Sequence, residues 1–160
     1  TFQIYGEGQE DSSLRALTRE LGVLDRVVFK GFLPHDRLPA LLAEADIFVR
    51  PSRSEGMGNS FIEAMAAGLP VIGTNEGGIK DFLFDSERNT DREPTGWVVD
   101  PDAPEQVAEK VTAIVSDDEV RAVITARARA LVAKEYDWEH VARQMRGILE
   151  RATKGARMGL

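Results

Sequence analysis

The sequence predicts an α/β fold: a doubly wound parallel sheet with helices on both faces, followed by C-terminal helices. Five short segments, most of them wholly apolar, alternate along the chain with segments whose apolar residues recur at helical spacing. Wholly apolar strands are typical of parallel sheets, because helices cover both of their faces. The chain has 160 residues, of which 42% are hydrophobic and 29% charged, so it is long enough for one domain with its own core.

The elements follow one another in a regular order. The predicted strands are residues 2–5, 27–29, 47–49, 70–73 and 97–99. Helices are predicted over residues 9–21, from 34 onward, over 60–67, weakly after 78, and over 104–115, 118–134 and 138–152. Gly22 ends the first helix and Pro34 suits the first position of the second. Residues 85–95 form the one long polar loop, and loops of that length are uncommon unless they are mobile or functional.

Composition excludes several classes of site and partner. The chain has no cysteine, which rules out a disulfide scaffold, a thiolate nucleophile and any Cys-ligated metal site. Its net charge is −7 and no basic stripe is interleaved with aromatic residues, which argues against a nucleic-acid partner. No apolar run approaches the ~20 residues that a membrane-spanning helix needs.

The informative segment is the turn between the third predicted strand and the helix after it. Gly56 and Gly58 permit backbone conformations and close approaches that a Cβ would forbid. Asn59 or Ser60 can cap the helix that begins there. Open α/β sheets bind ligands at the carboxyl ends of their strands, and a helix N-terminus at that edge attracts phosphate or a sugar oxygen.

Two carboxylates, Glu55 and Glu63, stand eight positions apart around this turn. An ionised carboxylate accepts hydrogen bonds only, so each can take both hydroxyl protons of a vicinal diol. One could hold a ribose diol and the other a sugar hydroxyl, with backbone N–H groups on phosphate between them. In the alternative interpretation, Glu63 is an ordinary surface residue of a helix and Glu55 pairs with Arg53 at the surface.

Pro51-Ser52-Arg53 precedes this Glu-x7-Glu spacing, and residues 63–71 form its end. The whole segment resembles the signature of the retaining GT-B glycosyltransferases of family 4, the glycosyl transferases group 1. Other stretches resemble the same family over nearly the whole chain: residues 5–8, 25–32, 45–49, 77–78, 95–99 and the helix after Trp138. The resemblance implies a Rossmann-like half of a GT-B fold, with residues 1–160 as the domain that binds a nucleotide-sugar donor.

The resemblance also implies a role for each matching residue. Glu55 would hold hydroxyls of the transferred sugar and is the candidate catalytic residue, while Glu63 would hold the ribose hydroxyls. The remaining candidate donor-binding residues are the backbone at Gly56, Met57, Gly58 and Asn59, the cleft glycines Gly6 and Gly8, and the turn Gly31, Phe32 and Leu33 along the base. The family needs no metal in this site, and no cofactor is expected.

The implied activity is transfer of a sugar, with retention, from a UDP-, GDP- or ADP-linked donor to an acceptor. The implied partners are the donor and an N-terminal acceptor domain of the same parent chain. The implied location is the cytoplasm, with peripheral association of the parent with the inner membrane face as an option.

The alternative is a non-catalytic nucleotide-binding or scaffold fragment. A dehydrogenase is disfavoured, because Asp11 stands where the dinucleotide fingerprint needs a third glycine.

The sequence departs from the family in two respects. The Gly-Gly-x-x-Glu pattern ends in the shorter acid Asp81. We also expect the chain to lack the first strand–helix unit of the donor domain and the whole acceptor domain, so that it is inactive alone. The absent strand would be the central one of the order 3-2-1-4-5-6. The strands beside it would then pair directly, accept another segment or chain, or receive the strand from residues outside this sequence.

Overall fold

The computed structural model describes residues 1–157, with side chains through residue 153. The chain divides into two compact units, residues 1–41 and residues 42 onward, and each is described by itself. Both units contain parallel strands connected by helices. Within the described residues no helix has both the length and the apolar character required to cross a membrane.

The first unit is a β-α-β arrangement. It contains β1 (Phe2–Tyr5), α1 (Asp11–Glu20) and β2 (Val27–Gly31). The two strands are parallel, with Phe2 opposite Val27 and Ile4 opposite Phe29, and the register shifts between Ile4 and Tyr5. A 3-10 turn (His35–Arg37) then leads into α2 (Leu38–Glu44), so the α-helix predicted from Pro34 begins four residues later than predicted.

The second unit has a parallel sheet of order β3-β4-β5, with a helix after each outer strand. Its strands are β3 (Phe48–Arg50), β4 (Val71–Thr74) and β5 (Trp97–Val99). Its helices are α3 (Asn59–Ala67), α4 (Pro104–Ser116), α5 (Asp118–Glu135) and α6 (Trp138–Arg157). The weak helix predicted after Gly78 is a 3-10 turn, Gly77–Asp81, which we call the glycine turn.

Part of the core of the second unit lies between β4 and helix α3, and another part joins the sheet to helices α4 and α5. All four residues of β4 are buried, as the apolar run predicts. Phe61 of α3 is fully buried against this strand, and a Cβ placed on Gly73 would lie 2.5 Å from its ring. The glycine therefore lets α3 lie close to the sheet, which fixes the helix start at the carboxyl edge of the strands.

The loop predicted over residues 85–95 is tied to the core at both ends. Asp85 is 1% exposed, and its carboxylate accepts hydrogen bonds of 2.8 Å from the backbone N–H groups of Glu87 and Val98. Lys110 of α4 lies 3.4 Å from the same carboxylate. At the other end the Thr95 hydroxyl donates to the Phe82 carbonyl at 2.6 Å.

The strands form two sheets rather than the single sheet expected from the sequence. In residues 1–157, β1 and β2 make up one sheet and β3, β4 and β5 the other. The five strands in the described residues are those predicted, and these residues contain no additional strand in a central position. Of the three expected outcomes, direct pairing into one sheet is therefore wrong. The other two stay predictions, because each involves residues or chains beyond those described.

Candidate functional site

The turn from β3 to α3 lies where the sequence predicts it, but its helix cap is Gly58 and not the predicted Asn59 or Ser60. β3 ends at Arg50, residues 51–58 form the β3–α3 loop, and α3 begins at Asn59. Gly58 caps the helix in a left-handed conformation (φ 75°), and its carbonyl accepts from the N–H of Phe61 at 2.9 Å. A glycine supplies no capping side chain, so the N–H groups of Asn59 and Ser60, which have no hydrogen-bond acceptor among the described residues, are donors at the positive end of the helix dipole. This start suits an anionic or hydroxyl-bearing ligand.

Glu55 is held in place by two side chains. Its Oε1 atom accepts from the Ser52 hydroxyl at 2.9 Å and lies 2.7 Å from Nη2 of Arg50. The Glu55 side chain is only 10% exposed, whereas that of Arg50 is 50% exposed. Nη1 of Arg50 also donates to the hydroxyl of Ser60, in the first turn of α3, at 2.8 Å. Arg50 thus connects the carboxylate to the helix start.

The alternative pairing of Glu55 with Arg53 is wrong. Arg53 is bound instead to Asp102, with Nη2 at 2.8 Å from the carboxylate oxygen Oδ1. This hydrogen bond raises the pKa of the Arg53 guanidinium above its usual value, and the attraction of the charged Asp102 acts in the same direction. Arg53 is 79% exposed, so it belongs to a surface ion pair rather than to the surroundings of Glu55.

The glycine turn supports the β3–α3 loop from beneath. The N–H of Gly78 donates to the Gly56 carbonyl at 2.7 Å. A Cβ on Gly77, which has φ 55°, would lie 1.8 Å from the carbonyl oxygen of Glu55. At the other end of the loop, the Thr74 hydroxyl at the end of β4 donates to the Ser52 carbonyl at 2.5 Å. The loop backbone is therefore fixed on both sides of Glu55.

The other candidate residues of the second unit lie after Glu55 in the β3–α3 loop and in α3. Gly56, Met57 and Asn59 are exposed and Gly58 is buried, so the loop presents its tip to solvent. Glu63 is the fifth residue of α3 and half-buried, which differs from the fully exposed side chain that the surface interpretation requires. The structure thus brings Glu55, the exposed loop backbone and α3 with Glu63 together at the carboxyl end of β3.

The candidates of the first unit also lie together. The N–H of Gly6 donates to the Gly31 carbonyl at 2.8 Å, which joins the turns that follow β1 and β2. Gly6 and Gly31 have φ values of 122° and 68°, where glycine is favoured. Gly8 and Phe32 are exposed, Phe32 by 71%, and Leu33 is half-buried.

Sequence reasoning missed one residue of this first-unit cluster. The carboxylate of Glu7 accepts from the N–H of Phe32 at 3.4 Å, across 25 positions of sequence. The sole signal for it was its place between Gly6 and Gly8.

Sequence reasoning also missed the contacts of Arg50, Ser52 and Thr74 in the second unit. Arg50 and Thr74 are the last residues of their strands and Ser52 follows one, and only the structure shows what these side chains bind. As for metals, no group of three His, Asp or Glu side chains within residues 1–157 is placed to hold an ion. Metal independence stays a prediction of the family resemblance.

Comparisons with known proteins show which family this chain resembles. The family model of the glycosyl transferases group 1 matches residues 1–131. The GDP-mannose-dependent alpha-(1-6)-phosphatidylinositol monomannoside mannosyltransferase of Mycobacterium tuberculosis is 34% identical over 91% of this chain and 38% of its own. The 2-deoxystreptamine glucosyltransferase of Streptomyces kanamyceticus is 36% identical over 89% of this chain and 35% of its own.

Solved structures give the same fold. Anabaena HepE, crystallised in complex with UDP-glucose, matches 93% of this chain and 40% of its own with a TM-score of 0.82 and 24% identity. The predicted fold class, an α/β chain built as the Rossmann-like half of a GT-B fold, is confirmed. The chain spans well under half the length of each of these three proteins. With the family model matching most of its length, this chain belongs to the glycosyl transferases group 1 family.

Proposed function

We propose that this chain is the donor-binding domain of a retaining glycosyltransferase and that its site binds a nucleotide-sugar. Glu55 accepts hydrogen bonds from hydroxyls of the transferred sugar. The backbone from Gly56 to Asn59 and the first turn of α3 contact the diphosphate, and Glu63 accepts from the ribose hydroxyls. In the reaction the bond between sugar and phosphate breaks, a bond to the acceptor forms, and the nucleoside diphosphate leaves.

One observation carries this proposal: two carboxylates stand on either side, in sequence, of a helix start that has no side-chain cap and follows the carboxyl end of a parallel strand. Glu55 is 10% exposed and already oriented by Arg50 and Ser52. Between Glu55 and Glu63 lies backbone whose N–H groups suit the diphosphate, since helix starts favour negative charge. A ligand with a diol at each end and a diphosphate between them matches this order of groups.

The first unit contributes a second group of candidates. The Gly6–Gly8 turn and the Gly31–Leu33 turn follow β1 and β2, at the edge of a parallel pair where such folds bind ligands. By the family resemblance the glycines contact the nucleotide and Gly31, Phe32 and Leu33 lie along the base. The exposed ring of Phe32 offers a face on which a base can stack.

The named relatives favour a transferase over a non-catalytic nucleotide-binding or scaffold module. The two relatives above are a mannosyltransferase and a glucosyltransferase by name. One name specifies GDP-mannose and the HepE crystals held UDP-glucose, so the donor base is open between at least these two. An N-terminal acceptor domain as partner, peripheral membrane association and a cytoplasmic location are further parts of this proposal, and they rest on the family resemblance.

The test uses the full-length natural protein and calorimetric titration with UDP, GDP and ADP. We expect one of the three to bind at micromolar concentration. Glu63→Ala should weaken that binding about 10- to 150-fold, because a hydrogen bond to a charged group contributes ~1.5–3 kcal/mol. Glu55→Ala should lower turnover with the matching nucleotide-sugar more than it lowers nucleotide affinity, because Glu55 contacts the sugar that is transferred.

Glu109→Ala is the matched control, since Glu109 is an exposed glutamate of α4 outside the site. It should leave both affinity and turnover unchanged. Equal nucleotide affinity for Glu63→Ala and the wild type would contradict the ribose assignment. No binding of any of the three nucleotides at millimolar concentration would favour the scaffold alternative. The 160-residue chain alone should transfer no sugar, because the acceptor side of the reaction needs the second domain.

A further inference from the structure

Arg50 occupies a position that the donor-binding proposal leaves unexplained. It is the last residue of β3, and its guanidinium contacts two groups that are not adjacent in sequence. Nη2 lies 2.7 Å from Oε1 of Glu55, and Nη1 donates to the Ser60 hydroxyl at 2.8 Å. One side chain therefore joins the end of the strand, the β3–α3 loop and the first turn of α3.

The contacts on Glu55 are one-sided. Arg50 and Ser52 both approach Oε1, and within the described residues no side chain binds Oε2, which can therefore accept hydrogen bonds from a ligand. The two contacts also fix the rotation of the carboxylate, since its Oε1 must satisfy a hydroxyl and a guanidinium from different directions. A carboxylate held in this way presents its second oxygen in a single orientation.

The exposure of the pair argues against a purely stabilising role. Arg50 is 50% exposed, and an ion pair with one partner in solvent contributes little to the stability of the fold. Its effect on the orientation of Glu55 can still be large, because the Glu55 side chain is 10% exposed and Arg50 and Ser52 are the partners that hold it in the described residues.

We propose that Arg50 is a positioning residue for sugar transfer, which sets the orientation of the Glu55 carboxylate. The inference rests on the proposed function, because it assigns Arg50 a role through Glu55. Arg50 acts on the sugar end of the donor, so its removal affects turnover more than the binding of a free nucleoside diphosphate. The planar guanidinium serves both contacts at once, which a lysine ammonium on one flexible stem does not.

The experiment measures turnover with the matching nucleotide-sugar and nucleoside diphosphate affinity for the full-length protein and its Arg50→Gln variant. We expect Arg50→Gln to lower kcat about 10- to 100-fold, the range that misplacement of a reacting group by about 1 Å produces. The dissociation constant of the nucleoside diphosphate should change less than about threefold, because Glu63 and the helix start are intact. Arg50→Lys should recover part of the loss, because it keeps the charge and one of the two contacts.

Two further variants make the test specific. In a Glu55→Gln background, Arg50→Gln should cost less than about threefold in kcat, because two residues that act together give non-additive losses. The matched control is Arg53→Gln, three positions further along the same loop but bound to Asp102 at the surface, which should leave kcat unchanged. Melting temperatures of all variants identify any that fail to fold.

Each outcome bears on the inference. Non-additive losses with partial recovery in Arg50→Lys would support it. Full activity in Arg50→Gln, additive losses with Glu55→Gln, or an equal loss in Arg53→Gln would overturn it while the proposed function stands. A loss of kcat matched by an equal loss of nucleoside diphosphate affinity would also overturn it, since Arg50 would then be a direct diphosphate ligand. A wild-type protein that binds no nucleoside diphosphate would overturn the inference and the proposed function together.

Discussion

Gly77→Ala tests whether the glycine turn holds the β3–α3 loop in its binding geometry. The added Cβ would lie 1.8 Å from the carbonyl oxygen of Glu55 and 3.0 Å from that of Gly56. Real Cβ atoms essentially never approach a neighbour more closely than 3.0 Å, so the Glu55 carbonyl would have to move by about 1.2 Å. Both contacts are with backbone, which cannot rotate away as the end of a side chain can.

The cost of this change divides into two parts. A non-glycine residue at φ 55° costs about 1–2 kcal/mol, because its Cβ crowds the following carbonyl. Displacement of the loop also breaks the 2.7 Å bond from the Gly78 N–H to the Gly56 carbonyl, worth about 0.5–1.5 kcal/mol. The fold should therefore lose about 1.5–3.5 kcal/mol. Turnover should fall about 100-fold, as expected for a shift of roughly 1 Å in a group that contacts substrate.

Gly68→Ala is the control, because Gly68 has φ 83° but nothing lies within 4 Å of the Cβ position. It should lose only the conformational part, about 1–2 kcal/mol, and keep its activity. Urea unfolding gives the free energies, and titration with the nucleoside diphosphate and steady-state turnover give the functional loss. Gly77→Ala with the stability and turnover of Gly68→Ala would refute the reasoning, since the collision with Glu55 would then have no consequence.

Two other predictions concern the loop between the glycine turn and β5. Asp85→Asn should destabilise the protein by about 1–3 kcal/mol, because the amide has one acceptor oxygen where the carboxylate has two, and one buried N–H is left unpaired. Glu87→Gln, at an exposed position, should change the free energy of unfolding by less than about 0.5 kcal/mol. Equal losses of the two variants in urea unfolding would contradict this prediction. The hydrogen bond from Arg88, and after it that from Gln106, lowers the pKa of Asp100 in the folded protein. The ionised Asp100 therefore stabilises the fold at pH values above its unfolded pKa, and this stabilisation is lost as pH falls through the lower folded pKa. Wild type should therefore melt above Asp100→Asn at neutral pH, with the gap closing below about pH 4; a gap independent of pH would exclude the ion pair as its cause.

Most of the fold could be predicted because burial leaves a direct mark on sequence. Each of the five strands lies within two residues of its predicted position. The link with burial is direct for β4 and β5, which are buried throughout, whereas β1 and β2 also carry exposed residues. Short 3-10 turns leave no such mark: His35–Arg37 and Gly77–Asp81 are too short to show a period. Sheet membership could not be predicted either, because the pairing of β1 depends on which other strands are present and not on its own residues.

Glu55 and Glu63 could be found from sequence because both the acids and the glycines between them lie within one short segment. Arg50 could not, although it lies only five positions before Glu55. Its contact with Ser60 depends on the direction in which the last residue of β3 points and on the start of α3, and both are set by packing of Phe61 against Gly73. Glu7 is harder still, since the N–H it accepts from is 25 positions away and a backbone donor has no residue type.

The glycines explain why the loop can be both exposed and fixed. Gly56 and Met57 face solvent, yet the backbone beneath them is in contact with Gly77 and Gly78 at distances that no side chain would permit. A ligand can therefore reach backbone N–H groups whose positions do not depend on its arrival, which lowers the entropy that binding costs. The same close contact makes the loop intolerant of a single added methyl group, so the sensitivity of Gly77 and the preorganisation of Glu55 have one physical origin.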